Sequence, residues 1–597
     1  MREFSLPALY EVPADGNLTD LIRRNAALHA DLAVIMRQRD GVWEDVTAAR
    51  FLTEVQAAAK GLIAAGIEPG DRVGLMSRTR YEWTLLDFAI WGAGGVTVPV
   101  YETSSPEQIQ WMLSDSGAVA CVVETDGHAA SLASVRERLP QLRDVWQLDE
   151  GAVEQLDAAG AEVSDAVLER HTTAADADDP ATIVYTSGTM GRPKGCVLTH
   201  RSFFAECGNA VERLRPLFAT GESSIVLFLP LAHVFGRLVE VATALAPIKL
   251  ALIPDIKHLT EELAAVKPTL LLGVPRVFEK VYNAARAKAE AEGKGKIFDR
   301  AAHTAIAYSR ALDTPSGPPL GLRLRHRLFD KLVYGKLRGV LGGRATHAVS
   351  GGAPLGERLG HFYRGIGFTV LEGYGLTESC AATAVNPVDR PKIGTVGQPL
   401  PGATIRVADD GEVLLHGENL FAGYWNNEAA TAEAMGHGWF HTGDLGSLDE
   451  EGYLTITGRK KEIIITAGGK NVAPAVIEDR IRAHALIAEC MVVGDGRPFV
   501  AALITLDEEF LARWAEEHGK EGRTAAELRD DPELVAAVQQ AVDDGNVMVS
   551  RAESVRKFHI LNAQFNEESG HLTPSLKLKR AVVAKDFAQE IDALYQR

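Results

Sequence analysis

The sequence predicts an α/β protein: a large amino-terminal domain of doubly wound, mostly parallel sheets with a small β subdomain, then a smaller α+β carboxy-terminal domain. Three observations predict it. Residues 18–125 alternate helix-type and strand-type patterns, a second such stretch runs from IVLFLPLAH to TLLLGVP, and the alternation restarts after GRKK at 458–461. At 597 residues the chain is too long for one compact core. The expected division is 1–458 and 459–597, with the β subdomain over about 385–458.

In order, NLTDLIRRNAALHADLAVI opens on an Asn/Thr helix-start signal. DRVGLM reads as a short strand and RYEWTLLDFAIWGAGG as a helix ending in glycines. VTVPVY is a strand, SPEQIQWMLSDSGA a helix with Pro in its first turn, and VACVVE a strand. Such a βαβαβ order implies a parallel sheet covered by helices. Residues 126–178, rich in Ala, Asp and Glu, read as peripheral helices and loops. IVLFLPLAH, KLALI and TLLLGVP are strands, with HLTEELAAVK a helix between the last two. Residues 276–345 are helical and charged, interrupted by TPSGPP. Between Arg323 and Arg344, eight basic side chains, counting His326, stand against one acid, Asp330. A solvated helix face is the favoured reading there, with a peripheral membrane contact or a contact to a ligand's phosphates as alternatives. ATIRVA and GEVLLH suggest the small β subdomain. EIIIT, APAVIEDRIRAH, CMVVG and FVAALITL, followed by an acidic helical region, form the carboxy-terminal domain.

Hydrophobic content of 46% and charged content of 24% are ordinary for a globular enzyme. A formal net charge of −18 argues against general nucleic-acid binding. The five cysteines are scattered without a C-x-x-C, so neither a zinc site nor a disulfide framework is indicated, and a cytoplasmic setting fits. The first residues lack the pattern of a signal peptide, and apolar runs fall short of the ~18 residues of a spanning helix. Any membrane contact is therefore expected to be peripheral.

The most informative stretch is YTSGTMGRPKG, 185–195. It sets Thr186, Ser187 and Thr189 around Gly188, Gly191 and Gly195, with Lys194 close by. Glycines let successive N–H groups turn toward one anion, and hydroxyls and an ammonium add donors suited to a polyphosphate. The loop fits neither a G-x-x-x-x-G-K-[ST] loop nor a G-x-G-x-x-G fingerprint, and alone it could be a polar turn.

Further clusters follow in order: SGGAPL (350–355), LEGYGLTES (371–379), GWFHTGDLG (438–446), GRKKEIIITAGGKNVAP (458–474) and LTPSLKLKR (572–580). Together with the glycine loop they resemble the adenylate-forming superfamily of acyl-CoA synthetases, luciferases and peptide-synthetase adenylation domains, over nearly the whole chain. With VPVYETSSPEQ near the start, the wording is similar to that of bacterial long-chain fatty acyl-CoA synthetases (AMP-forming).

The resemblance implies that ATP, a fatty acid and CoA give acyl-CoA, AMP and diphosphate through an acyl-adenylate, with Mg²⁺. Tyr374, between Gly373 and Gly375 and next to Glu372, would face adenine, with Gly352, Ala353 and Pro354 on its other side. Thr377, Thr186, Ser187, Gly188, Thr189 and Lys194 would hold phosphates, and Glu378 the metal. Asp444 and Arg459 would meet the ribose, a structural salt bridge being the alternative for each. His233, in LPLAHVFG, would lie near the acyl and adenylate site, though a core histidine is the alternative. Lys577 matches the catalytic lysine carried by the mobile small domain; Lys579 and Arg580 make the choice ambiguous by charge alone, and Leu576 stands where glycine is usual. Lys461 matches the hinge, and Gly468 and Gly469 the loop that reaches the pantetheine tunnel. Two other readings are an acyl-AMP ligase serving a carrier protein and a non-catalytic nucleotide- or lipid-binding regulator. The regulator would be expected to have lost Lys577 or Glu378. Chain-length preference and oligomeric state are not legible.

Overall fold

The computed structural model describes residues 2–39, 41–186, 192–567, 569–573 and 577–596. Two large sheets share one hydrophobic core. In the first, Arg72–Met76, Val96–Val100, Ala120–Val123, Asp144–Gln147 and Pro180–Thr186 run parallel. Lys194–Thr199 and Gly423–Tyr424 complete it antiparallel. In the second, Ala33–Arg39, Lys249–Leu252, Ser224–Leu227, Leu270–Gly273, His347–Ser350 and Thr369–Tyr374 run parallel, with short antiparallel strands at both edges. The helix Tyr81–Gly92 is buried on nearly every side. Its run WTLLDFAIW offers no polar stripe, so it can only sit inside.

Helix Val234–Leu245 is fixed by a buried ion pair. Arg237 pairs with Asp87 of the Tyr81–Gly92 helix, donates to the Thr182 hydroxyl at 2.5 Å, and lies over the rings of Trp83, Trp91 and Phe203. Buried Glu240 adjoins the same pair, and removing Arg237 would leave Asp87 without its cation in the core.

A smaller antiparallel sheet holds Thr404–Val407, Glu412–His416, Trp439–Leu448 and Leu454–Arg459, and is joined by Arg2–Ser5 from the start of the chain. The carboxy-terminal domain has its own core on the sheet Ile487–Val493, Val500–Leu506 and Val555–Ile560, packed with helices Pro474–Arg482 and Pro532–Asn546.

Several elements differ from the sequence reading. The first helix stops at Leu28, and the following residues form the hairpin Ala33–Arg39 and Val42–Thr47. Asp144–Gln147 is an edge strand within a stretch read as helices and loops. Ala384–Val385 and Gln398–Pro399 extend the nine-stranded sheet instead of joining the small one. Of IVLFLPLAH only the first three residues are strand, within Ser224–Leu227, and its end caps a helix. All five cysteines are buried and unpaired. Among the described residues, no helix is long and apolar enough to cross a membrane.

Candidate active site

Three parallel strands of the nine-stranded sheet carry loops at their carboxyl ends, the edge where open α/β sheets bind ligands. Strand Ser224–Leu227 leads to His233, His347–Ser350 to the exposed Gly352, Ala353 and Pro354, and Thr369–Tyr374 to the turn Thr377–Ser379. Glu372 ties two of these loops together, since its Oε2 accepts the Leu355 N–H at 2.9 Å. The backbone turns back sharply after Tyr374: Gly375 lies so close to the returning chain that an added Cβ would sit 1.8 Å from the Ala381 carbonyl oxygen. Gly375→Ala is therefore expected to cost about 1–3 kcal/mol and to displace the Thr377–Glu378 turn. Denaturation midpoints and nucleotide affinity check this; an unperturbed variant would contradict the packing.

Glu372 is buried, and desolvation pushes its carboxyl up to about 7 from 4.5. Between those values the folded chain keeps a proton that the unfolded chain has lost, so its contribution to stability falls as pH rises through that window. Glu372→Gln keeps an acceptor for Leu355 and should flatten this part of the pH profile. Urea midpoints from about pH 5 to 8 read it, and identical slopes in the two proteins would refute it.

The seven-stranded sheet supplies the opposite wall. Pro180–Thr186 and Lys194–Thr199 are antiparallel partners, with Thr186 opposite Lys194, so the chain after the glycine-rich stretch is a strand and not a helix. Ser187, Gly188 and Thr189 lie outside the described residues. Lys194 rests over the Tyr424 ring at 4.8 Å, and the Tyr424 hydroxyl donates to Glu378 Oε1 at 2.8 Å. Tyr424 thus links the two walls. Sequence reasoning missed it: FAGYWNN carries an aromatic pair, but nothing in its spacing points to Glu378.

The small sheet contributes Asp444 and Arg459, opposite each other in register. Arg459 Nε lies 3.0 Å from Asp444 Oδ1, and the Tyr374 hydroxyl donates to Asp444 Oδ2 at 2.7 Å. Desolvation and the neighbouring carboxylate hold the Tyr374 phenol well above its usual range, so it remains a donor.

Lys577 enters from the carboxy-terminal domain. Its N–H donates to the Thr573 hydroxyl at 3.0 Å and its carbonyl accepts from the Thr573 N–H at 2.8 Å. The Lys577 side chain is exposed, with the Arg459, Asp444 and Glu378 charges near its ammonium. Desolvation, then the Arg459 charge, draws it below the usual lysine range, while Asp444, Glu378 and Glu462 oppose this. Burial and the Lys577 charge together lower His233 to about 4, so its ring is neutral near pH 7; its Nδ1 accepts the Phe235 N–H at 3.1 Å and caps the helix. Arg580 is engaged elsewhere, donating to Glu478 at 2.6 Å and to the Val492 carbonyl. Geometry thus separates Lys577 from a neighbour that charge alone could not.

The domain junction is equally specific. Lys460 is held by Asp410 and Glu412 at 2.7 and 3.2 Å, whereas Ile464 is already in the carboxy-terminal core. Lys461, exposed in the 3₁₀ turn Lys460–Glu462, lies between these anchors. Arg276 fastens the domains a second time through the Ala488 carbonyl at 3.0 Å and Glu489 at 3.3 Å. Gly468 and Gly469 sit exposed beyond the strand pair Ile464–Ile465 and Asn471–Val472, and an added Cβ at Gly469 would meet nothing within 4 Å.

Comparison with known proteins identifies the family. Residues 22–425 match the family described as AMP-binding enzyme, and residues 461–597 match the AMP-binding enzyme C-terminal domain. The chain is 50% identical to the Mycobacterium bovis long-chain-fatty-acid–CoA ligase FadD15, covering all of both chains. Among solved structures it resembles a Mycobacterium tuberculosis fatty acyl CoA synthetase, with a TM-score of 0.62 and 22% identity over 96% of this chain and 99% of that one. It also resembles the Bacillus subtilis O-succinylbenzoate coenzyme A synthetase in complex with ATP and magnesium ion, with a TM-score of 0.66 and 20% identity over 94% and 98% of the two chains. The chain belongs to the AMP-binding enzyme family.

Proposed function

We infer that the protein is a long-chain fatty acid–CoA ligase, converting ATP, a fatty acid and CoA to acyl-CoA, AMP and diphosphate through an acyl-adenylate. The observation that carries this reading is the clustering of Tyr374, Glu378, Asp444 and Arg459 with Lys577 of the carboxy-terminal domain. The full-length similarity to FadD15 supports the long-chain acid and CoA as substrates.

The chemistry explains the residue types. A fatty carboxylate must approach the α-phosphate of ATP, and at ~4 Å with an effective dielectric near 20 the two anions repel by about 4 kcal/mol. The Lys577 ammonium offsets that repulsion. Lys194, Thr186 and Thr377, with Ser187, Gly188 and Thr189, hold the departing diphosphate and the α-phosphate. Asp444 and Arg459 grip the ribose, Asp444 as an acceptor-only group. Tyr374, Gly373, Gly375, Glu372 and the Gly352–Ala353–Pro354 backbone form the adenine slot. Neutral His233 stands at the acyl side. Magnesium prefers one or two carboxylates with phosphates and waters, and Glu378 fits as its protein ligand. Among the described residues no cluster of three or more His, Cys, Asp or Glu offers a dedicated cage. Bound there with ATP, the ion would supply charge neutralisation.

The working units are residues 1–458 and 459–597, turning about Lys461. After adenylate formation the small domain withdraws Lys577 and brings Gly468 and Gly469 to the pantetheine path, where small residues allow close backbone approach. We place the enzyme in the cytoplasm, drawing its acid from a membrane surface by peripheral contact.

The test is a mass-spectrometric assay of the purified protein with Mg·ATP and saturated acids of increasing length, with and without CoA. Acyl-CoA formed only with CoA, and best with long acids, is the expected result. Acyl-AMP accumulating regardless of CoA would point to a carrier-protein acceptor, and no product with any acid would refute the reading.

A further inference from the structure

The helical run from Leu320 to Val340 has two apolar faces, and only one has a partner. The inner face is fully used: Leu322 and Leu337 are buried, the His326 ring stacks on Tyr308 at 3.9 Å, the His326 Nε2–H donates to the Gly365 carbonyl at 2.6 Å, and the Tyr334 hydroxyl donates to the Ala301 carbonyl at 2.7 Å. The outer face carries Leu320, Leu324, Leu328 and Leu332, which are 73, 58, 55 and 53% exposed. Four-residue spacing sets side chains in one row along a helix. Four leucines in such a row are more than the scattered exposed apolar residues of an ordinary surface.

Charge is concentrated on the same segment. Arg323, Arg325, Arg327, Lys331, Lys336 and Arg344 are exposed around the leucine row. The one acid of the stretch, Asp330, is taken by Arg338 at 2.8 Å. Among the described residues, Arg325, Arg327, Lys331 and Arg344 form no ion pair. In a chain of net charge −18, this is a strongly basic surface around an apolar ridge.

We propose that this outer face docks on an anionic phospholipid surface, the leucines entering the headgroup–acyl boundary and the arginines and lysines meeting lipid phosphates. Charge complementarity selects this partner: the ridge alone would suit any apolar surface, but its basic surround matches an anionic one, as in helices that lie in the membrane plane. The basic side chains do lie on a solvent-exposed face, as the sequence reading favours, and the exposed leucine row is the feature that reading did not identify. The inference extends the proposed function by naming where the chain meets its lipid supply, and its readout is vesicle binding, so failure of docking and failure of the ligase reading are seen separately.

The experiment is co-sedimentation of the full chain with phosphatidylcholine vesicles and with mixed phosphatidylcholine–phosphatidylglycerol vesicles. Binding to the mixed vesicles only, weakened by salt, is expected. The double variants Leu324→Ser/Leu328→Ser and Arg325→Glu/Arg327→Glu should each weaken it by at least about tenfold. Both should keep the wild-type rate of adenylate formation from a water-soluble acid, which also shows that they fold. Equal sedimentation with both vesicle types, or retained binding in both variants, would overturn the proposal. So would a shift of either variant from dimer to monomer in light scattering, since a second copy of the chain would then cover the ridge. A raised KM for CoA in the arginine variant would overturn it too, by assigning the basic side chains to the nucleotide's phosphates.

Discussion

Lys577→Ala is expected to slow adenylate formation roughly a thousandfold while leaving thioester formation from supplied acyl-AMP nearly intact. Lys577 is the side chain that the carboxy-terminal domain brings into the electrostatic neighbourhood of His233, Arg459, Asp444 and Glu378. Its charge opposes the repulsion between two approaching anions, a need confined to the first half-reaction. Once the adenylate exists, thiol attack on its neutral acyl carbonyl no longer requires that ammonium. ATP–pyrophosphate exchange measures the first step, and acyl-CoA formation from synthetic acyl-AMP the second. Equal loss in both would remove Lys577 from the role, and retained exchange in the alanine variant would do the same.

Lys461→Pro should give the mirror image. The arrangement described here has Lys577 at the crevice, with Lys460 clasped by Asp410 and Glu412 and Ile464 in the opposite core. A proline ring fixes φ near −65°, a value within the range of a 3₁₀ turn, and so restricts rotation at the joint. Adenylation should stay within a few-fold of wild type, and conversion of adenylate to acyl-CoA should fall by roughly two orders of magnitude or more. The same two assays decide it. If exchange fails and thioester formation survives, the pivot lies elsewhere.

What the sequence revealed depended on the range of the interactions involved. The parallel strands were legible because VTVPV and ACVV are buried on both faces, and the buried helix because FAIWGAGG leaves no polar stripe. The hairpin Ala33–Arg39 and Val42–Thr47 was not, since AVIMRQR is half polar and its pairing with Lys249–Leu252 spans some two hundred residues. At the candidate site, motif order singled out Glu378, Asp444 and Arg459. It could not show that Tyr374 binds Asp444 or that Tyr424 binds Glu378, because the partners are 70 and 46 positions apart. Side-chain charge did not distinguish Lys577 from Arg580. The Glu478 carboxylate, 102 positions from Arg580, does.

The strand order also has a consequence for how the chain is made. Arg2–Ser5 finds its neighbour only when Thr404–Val407 has emerged, Ala33–Arg39 gains its second neighbour only with Lys249–Leu252, and Lys194–Thr199 its second only with Gly423–Tyr424. At about 5–20 residues per second, a ribosome needs roughly 20 to 80 s to bring the first of these pairs together. During that interval both large sheets have an unfinished edge, and the helix that carries Asp87 waits in the nascent chain for Arg237. Slow synthesis or a shortage of holding chaperones should therefore lower the yield of this protein more than that of one whose strands pair in order of appearance.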